Sequence, residues 1–441
     1  MSAHTELPRK VRVGYGLGSV ATGAFGTVPG LMLLPYLTDT LGIAALLAGL
    51  IVLVPKAWDV ILNPIAGRIS DRSRSALGPR RPFLIRAGIA LSVCFVLLFV
   101  GPPLGSTFLD GAWVVLLFLA CATAYAFFQV PYVAMPAEMT DSYDERTRIM
   151  SWRVALLAFT ILLTGASAPA IRDAIGGRDG YRVMGIVVAL IICFGSVAAY
   201  RGTASAPIGD VRAASGTLRE QLRIVSQSRD FRLLLTTFVI QALATGAMLA
   251  GVDYLARWVL GDKGTSTILF VCFVGPAILL TPGWSALGQR VGKKRGYTLA
   301  SLVLMVGAAL LVTARSVPES LVFAATGLVG AGYAGIQVFP LSMLPDVAAV
   351  AARTSGANRV GVFTGIWTAG ETLGLALGPG AYGLILALGS YVSADGGESA
   401  TQPESALTAI TLGFSLFPAL LVALSFWWLA RYSLAEEKVD A

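Results

Sequence analysis

Residues 125–139 read YAFFQVPYVAMPAEM and residues 333–347 read YAGIQVFPLSMLPDV. Tyr125 and Tyr333, Gln129 and Gln337, and Met135 and Met343 are separated by one common interval. Pro136 with Glu138, and Pro345 with Asp346, close the two segments in nearly the same way. That order of polar residues inside apolar stretches indicates two halves that repeat one another. The surrounding composition sets the medium. Of 441 residues, 56% are apolar and 13% charged, where a soluble globular chain carries roughly 25% charged residues. Such a chain has too little polar surface for water, enough apolar sequence for many spans of about 20 residues, and too little charge for bulk disorder.

Working outward from the repeated segments, apolar runs predict twelve spans, near 14–37, 44–67, 83–103, 111–136, 150–170, 182–200, 231–258, 266–287, 297–314, 320–345, 359–389 and 406–430. The expected fold is an all-α polytopic membrane protein with twelve transmembrane helices in two pseudo-symmetric six-helix bundles. The bundles are expected over 1–200 and 231–441, with a cytoplasmic linker over 201–230 and a short cytoplasmic tail. No cleavable signal peptide is expected, because the run beginning near Gly14 is too long for a signal core and leads into further spans.

The net charge of +8 invites a nucleic-acid reading. The basic residues nevertheless form short clusters between apolar runs, at Arg9–Arg12, Arg68–Arg86, Arg146–Arg153, Arg201–Arg232 and Arg290–Arg295. That spread argues against nucleic acid, and by the positive-inside rule it places both termini in the cytoplasm. The composition suits a bacterial inner membrane, with membrane lipids and a small solute as partners and a monomer as the working unit. Catalysis is not expected. The single histidine, His4, lies near the N-terminus, and the four cysteines sit singly inside apolar runs without Cys-x-x-Cys spacing. No cofactor is called for.

Polar groups that apolar packing does not explain mark the candidate site. Span 2 contains LVPKAWDVILNPIAG over residues 53–67, where Lys56, Asp59 and Asn63 share roughly one helix face. A lipid-facing carboxylate is costly, so this face should look inward. Asp59 could hold a cation, carry a proton, or simply pair with Lys56. Trp58 could wall a cavity or pack. Glu371 lies deep in span 11, again as a coupling or structural acid. Gln129 and Gln337, with Tyr125 and Tyr333 one turn earlier, are candidate substrate contacts. So are Asp253, with Arg257 one turn later in span 7, and Arg153 at the start of span 5; both also fit anchoring roles. In the 2–3 loop, Gly67, Asp71, Arg72, Arg74, Arg80 and Arg81 suggest a conformational latch, with a weaker counterpart in WSALGQRVGKKRG at 284–296.

The Gly-x-x-x-Asp-Arg spacing of Gly67, Asp71 and Arg72 resembles the major facilitator superfamily. YGLGS near the start, LPYLTDTLG at 34–42, KAWDVILNPIAG and VPYVAMP resemble more closely the glycoside–pentoside–hexuronide:cation symporter family, that of melibiose permease. The resemblance covers essentially the whole chain and implies alternating access and symport driven by sodium or protons. In the family's Trp-Asp-x-x-Asn-Asp-Pro cation motif, this sequence keeps Asp59 but has Leu62 for the asparagine and Asn63 for the second carboxylate. Loss of hard oxygen ligands at the possible Na+ site on Asp59 favours H+ as the coupling ion. Family acids that hold sugar hydroxyls on spans 1 and 4 correspond to Gly23 and Gln129, which argues against melibiose itself. Gln129 could still bond a hydroxyl, and Tyr125, Trp58 or Trp367 could pack on a sugar face.

The leading expectation is cation-coupled symport of a sugar, glycoside or related small solute. A lysolipid-type symporter, a proton-coupled efflux carrier of amphipathic compounds, and a non-transporting scaffold or sensor are the alternatives.

Overall fold

The computed structural model describes residues 7–433 apart from 74, 76, 103, 141, 208–226, 263, 356–359 and 394–400. Arg74 and most of the expected linker therefore lie outside the described residues. The chain divides into two compact units, Met1–Ala213 with Ser393–Ala400, and Ala214–Val392 with Thr401–Ala441.

The first unit contains α1 (Arg9–Asp39), α2 (Ala45–Asp71), α3 (Arg81–Val100), α4 (Thr107–Met139), α5 (Tyr143–Ile175) and α6 (Gly177–Gly202). All six contain a segment long and apolar enough to cross a membrane. Helix α1 is the core of this unit, packed on α5 and α6, with most of its residues buried. Its contact with α6 is a glycine-on-glycine crossing. A Cβ added to Gly14 would overlap the backbone of Gly202, so neither position has room for a side chain.

The second unit contains α7 (Arg229–Tyr254, continued by a π turn at Leu255–Val259), α8 (Thr265–Leu279), α9 (Thr281–Val291) and α10 (Lys293–Leu310). It ends with α11 (Glu319–Ser355), α12 (Val360–Leu388), α13 (Glu404–Phe414) and α14 (Leu416–Arg431). Among the described residues eleven helical segments pass as single spans; α8 and α9, bent by 47°, make the twelfth when taken together. The bend falls between Pro276 and Pro282, each of which removes a helix donor. Helix α12 packs against α7. There a Cβ on Gly378 would overlap Gly246 and the Ala247 nitrogen, which gives the glycine-rich stretch of span 11 its packing reason.

The expected spans run short at several ends. α5 begins at Tyr143 and α11 continues to Ser355, because helices extend past the hydrocarbon into polar turns that hydropathy does not count.

Candidate functional site

In the first unit the Asp59 side chain is buried, at 4% exposure, while Val54, Trp58, Ile61 and Ile65 form the exposed stripe of α2. The helix thus turns its acid inward and its apolar residues outward, the sorting that desolvation demands. Asp59 Oδ1 has no hydrogen-bond partner. Lys56, one turn earlier, feels the charge of Asp59, but no ion pair within 4.0 Å joins them among the described residues. Its ammonium instead lies 5.3 Å from the centre of the Phe25 ring. Asn63 is half-buried on the same helix.

Beside this acid, Thr22 donates to Gln129 Oε1 at 2.8 Å and lies close to Tyr125, which also interacts with the charge of Asp59. The Tyr125 ring packs on Phe25 at 4.7 Å. One turn along both helices, Ser19 and the Tyr132 hydroxyl are 3.0 Å apart, and Tyr132 donates to the Tyr15 carbonyl at 2.8 Å. The Arg153 guanidinium lies 5.7 Å from the centre of the Tyr132 ring. Polar groups from α1, α2, α4 and α5 therefore gather in one largely buried cluster, Asp59–Tyr125–Thr22–Gln129 and then Ser19–Tyr132–Arg153. Trp58, 40% exposed, donates to Thr123 Oγ1 at 3.2 Å and leaves much of its ring uncovered.

The second unit places its acid on a different helix. Glu371 of α12 lies within electrostatic reach of the Gln337 amide of α11, and Gln337 Nε2 donates to the Tyr333 hydroxyl at 2.9 Å. These three groups, with Phe238, Ala242, Thr245, Ile336 and Leu375, line a cavity with room for about one water molecule. One residue departs from its expected role. Trp367, expected as a platform for a sugar ring, is 1% exposed and stacks on Phe238 at 4.5 Å, so Phe238 takes up the face a ligand would need. Asp253 is equally buried. It pairs with Arg257 at 2.9 Å and accepts from Ser266 at 2.9 Å, tying the π turn of α7 to the start of α8.

The 2–3 loop centres on Arg80. Its guanidinium contacts Asp71 and Glu138, each at 2.6 Å, and the Ser70 hydroxyl at 2.6 Å. Burial disfavours the Arg80 cation, but bonds and charge from Glu138 and Asp71 outweigh that and hold its pKa above the ordinary arginine value. Arg81 donates to the Tyr200 carbonyl at 3.0 Å and lies over the Tyr200 ring. Arg72 is exposed. Gly67 does not bring two helices unusually close: an added Cβ would meet only Val130, at an ordinary 3.6 Å. In the second unit Lys293 reaches Asp346 at 2.6 Å and the Ser342 carbonyl at 3.2 Å.

Sequence reasoning missed Thr22, Ser19 and Tyr132, because hydroxyls that satisfy themselves locally are common in membrane helices. It also gave Glu138 no role, although the repeat with Asp346 marked that position. Among the described residues no cluster of three or more His, Cys, Asp or Glu side chains could hold a metal.

Two six-span bundles with sparse polar groups on their inner walls define a secondary transporter of small solutes working by alternating access. The profile described as MFS/sugar transport protein matches residues 14–436, and the chain belongs to that family. It is 27% identical over 466 residues to a putative glycoside/cation symporter, YagG, of Escherichia coli, covering 99% of this chain and 94% of the relative. It is 25% identical to a glucuronide carrier protein homolog of the same organism, covering 98% and 94%. Among solved structures, a bacterial homologue of the human lysosomal transporter Spinster matches with a TM-score of 0.69 at 14% identity, over 98% of this chain and 96% of the other. The protein is a multi-pass component of a bacterial inner membrane and is not an enzyme.

Proposed function

We propose that this chain is a proton-coupled symporter of a sugar, glycoside or related small solute, within the glycoside–pentoside–hexuronide:cation group, with both termini in the cytoplasm. The observation that carries the reading is the buried Asp59 carboxylate with an unengaged oxygen, beside the Tyr125–Thr22–Gln129 cluster. In this reading Asp59 takes the proton, and Lys56 balances its charge when the proton leaves. Asn63 lies on the same face as an amide donor and acceptor. Hydroxyls of the solute bond to Gln129 and Tyr125. Arg153 holds the far end of this polar cluster. The names of the glycoside and glucuronide relatives support this solute class.

The Arg80–Asp71–Glu138 cluster serves as the latch, with Arg81 on Tyr200 fixing the start of α3. The smaller Lys293–Asp346 contact plays the corresponding part in the second unit.

The test is uptake into proteoliposomes of a neutral methyl glycoside, a pentoside and a methyl hexuronide, with the proton and sodium gradients imposed separately. Accumulation that follows the proton gradient and vanishes in Asp59→Asn is expected. Sodium-driven uptake indifferent to the proton gradient would remove the proton assignment, and failure of all three solutes would remove the solute class.

A further inference from the structure

Among the described residues of its own unit, Glu371 has no charged partner. Helix α12 packs on α7, α11 and α13, and these helices present no charged residue to its middle. None occurs between Arg232 and Asp253 on α7, between Glu319 and Asp346 on α11, or between Glu404 and Arg431 on α13 and α14. Helices α8 to α10 carry charge only from Arg290 to Arg295. The remaining charged groups of this unit lie at span ends or in connections. What reaches the carboxyl is neutral: the Gln337 amide and, from α11, the Tyr333 hydroxyl as the one titratable neighbour. The rest of the cavity is Phe238, Ile336, Leu375 and small side chains. Asp59, by contrast, has Lys56 within electrostatic reach.

A carboxylate without a counter-charge at this depth is expensive, and a bound proton removes the charge at no packing cost. The neighbours suit both forms. A primary amide can give an N–H to a carboxylate and, rotated, offer its oxygen to a carboxylic O–H. The cavity beside it has room for about one water, the size of group that delivers or removes a proton.

We propose that Glu371 is a second proton-binding carboxyl, separate from Asp59, so that each transport cycle carries two protons. The cycle stoichiometry rests on the proton-coupled reading above; the proton site itself does not.

Infrared difference spectra of the purified wild-type protein, Asp59→Asn and Glu371→Gln, titrated through neutral pH in liposomes, test the site with the proton itself as probe. The expected result is a protonated-carboxyl band lost in Glu371→Gln and kept in Asp59→Asn, with Gln337→Leu shifting that band without deleting it. The Gln337→Leu arm reads the same carboxyl should Glu371→Gln fold poorly. A folded Glu371→Gln protein with the wild-type spectrum overturns the inference. In the uptake assay, the proton-to-solute ratio should fall from about two to about one in Glu371→Gln. A wild-type ratio of about one overturns the two-proton cycle and leaves proton symport standing. If no solute movement follows the proton gradient, the symport reading fails, and the infrared result decides Glu371 alone.

Discussion

The two units place the same tyrosine and glutamine on equivalent helices and then treat charge in opposite ways. In the first, Tyr125 and Gln129 stand near an acid contributed by α2, with Lys56 at hand. In the second, Tyr333 and Gln337 stand beside an acid contributed by α12, with no base in reach among the described residues of that unit. The charge clusters around Arg80 and Lys293 differ likewise. Arg80 is buried and held by Asp71, Glu138 and Ser70, whereas Lys293 is about a third exposed and has one acid partner. Because burial of one charge requires a specific partner, each unit balances its charge with its own neighbours.

That contrast can be broken most directly at the acids. Asp59→Asn should abolish proton-driven accumulation while Glu371→Gln retains a reduced, altered coupling; equal loss in both, measured in the same vesicles, would make the units equivalent after all. Next in size is packing. Gly378→Leu would force a side chain into the Gly246 and Ala247 backbone, with an expected destabilisation of about 3 kcal/mol, the upper end for overpacking, read as a lowered thermal midpoint.

The two charge clusters should separate by a smaller margin. Glu138→Gln weakens the net around a buried cation and should cost about 2 kcal/mol. Asp346→Asn breaks a pair open to solvent and should cost no more than about 1 kcal/mol. Denaturant unfolding of the two variants, with wild type alongside, gives the comparison. The smallest effect is expected at Gly67→Ala, where the new methyl finds an ordinary contact with Val130. Better helix propensity should leave stability unchanged or raised by up to about 1 kcal/mol. A marked loss there would show that the 2–3 loop needs closer helix approach than this structure has.

Much of this architecture was legible without coordinates. Hydropathy marked twelve spans because a bilayer forces every backbone polar group into helical pairing over a fixed length. The Tyr–Gln–Met repeat marked two halves. Asp59 and Glu371 were legible as charges in apolar runs, and the inward turn of Asp59 followed from cost alone. Trp367 was misjudged because an aromatic in a span looks equally available whether or not a neighbour occupies it. Phe238 lies far from Trp367 in sequence, and Ser266 follows Asp253 across a helix break, so neither contact has a local signature.

The sequence by itself determined the number of spans, the pairing of halves, and which ionisable groups are buried in apolar surroundings, because these depend on composition and periodicity along one chain. Tertiary structure alone decided which of those groups have partners. It gave Arg80 to Glu138, Thr22 to Gln129 and Phe238 to Trp367, and among the described residues of its unit it set Glu371 beside an amide and a phenol. Partnership is a matter of side-chain geometry between helices distant in the chain, and neither spacing nor hydropathy encodes it.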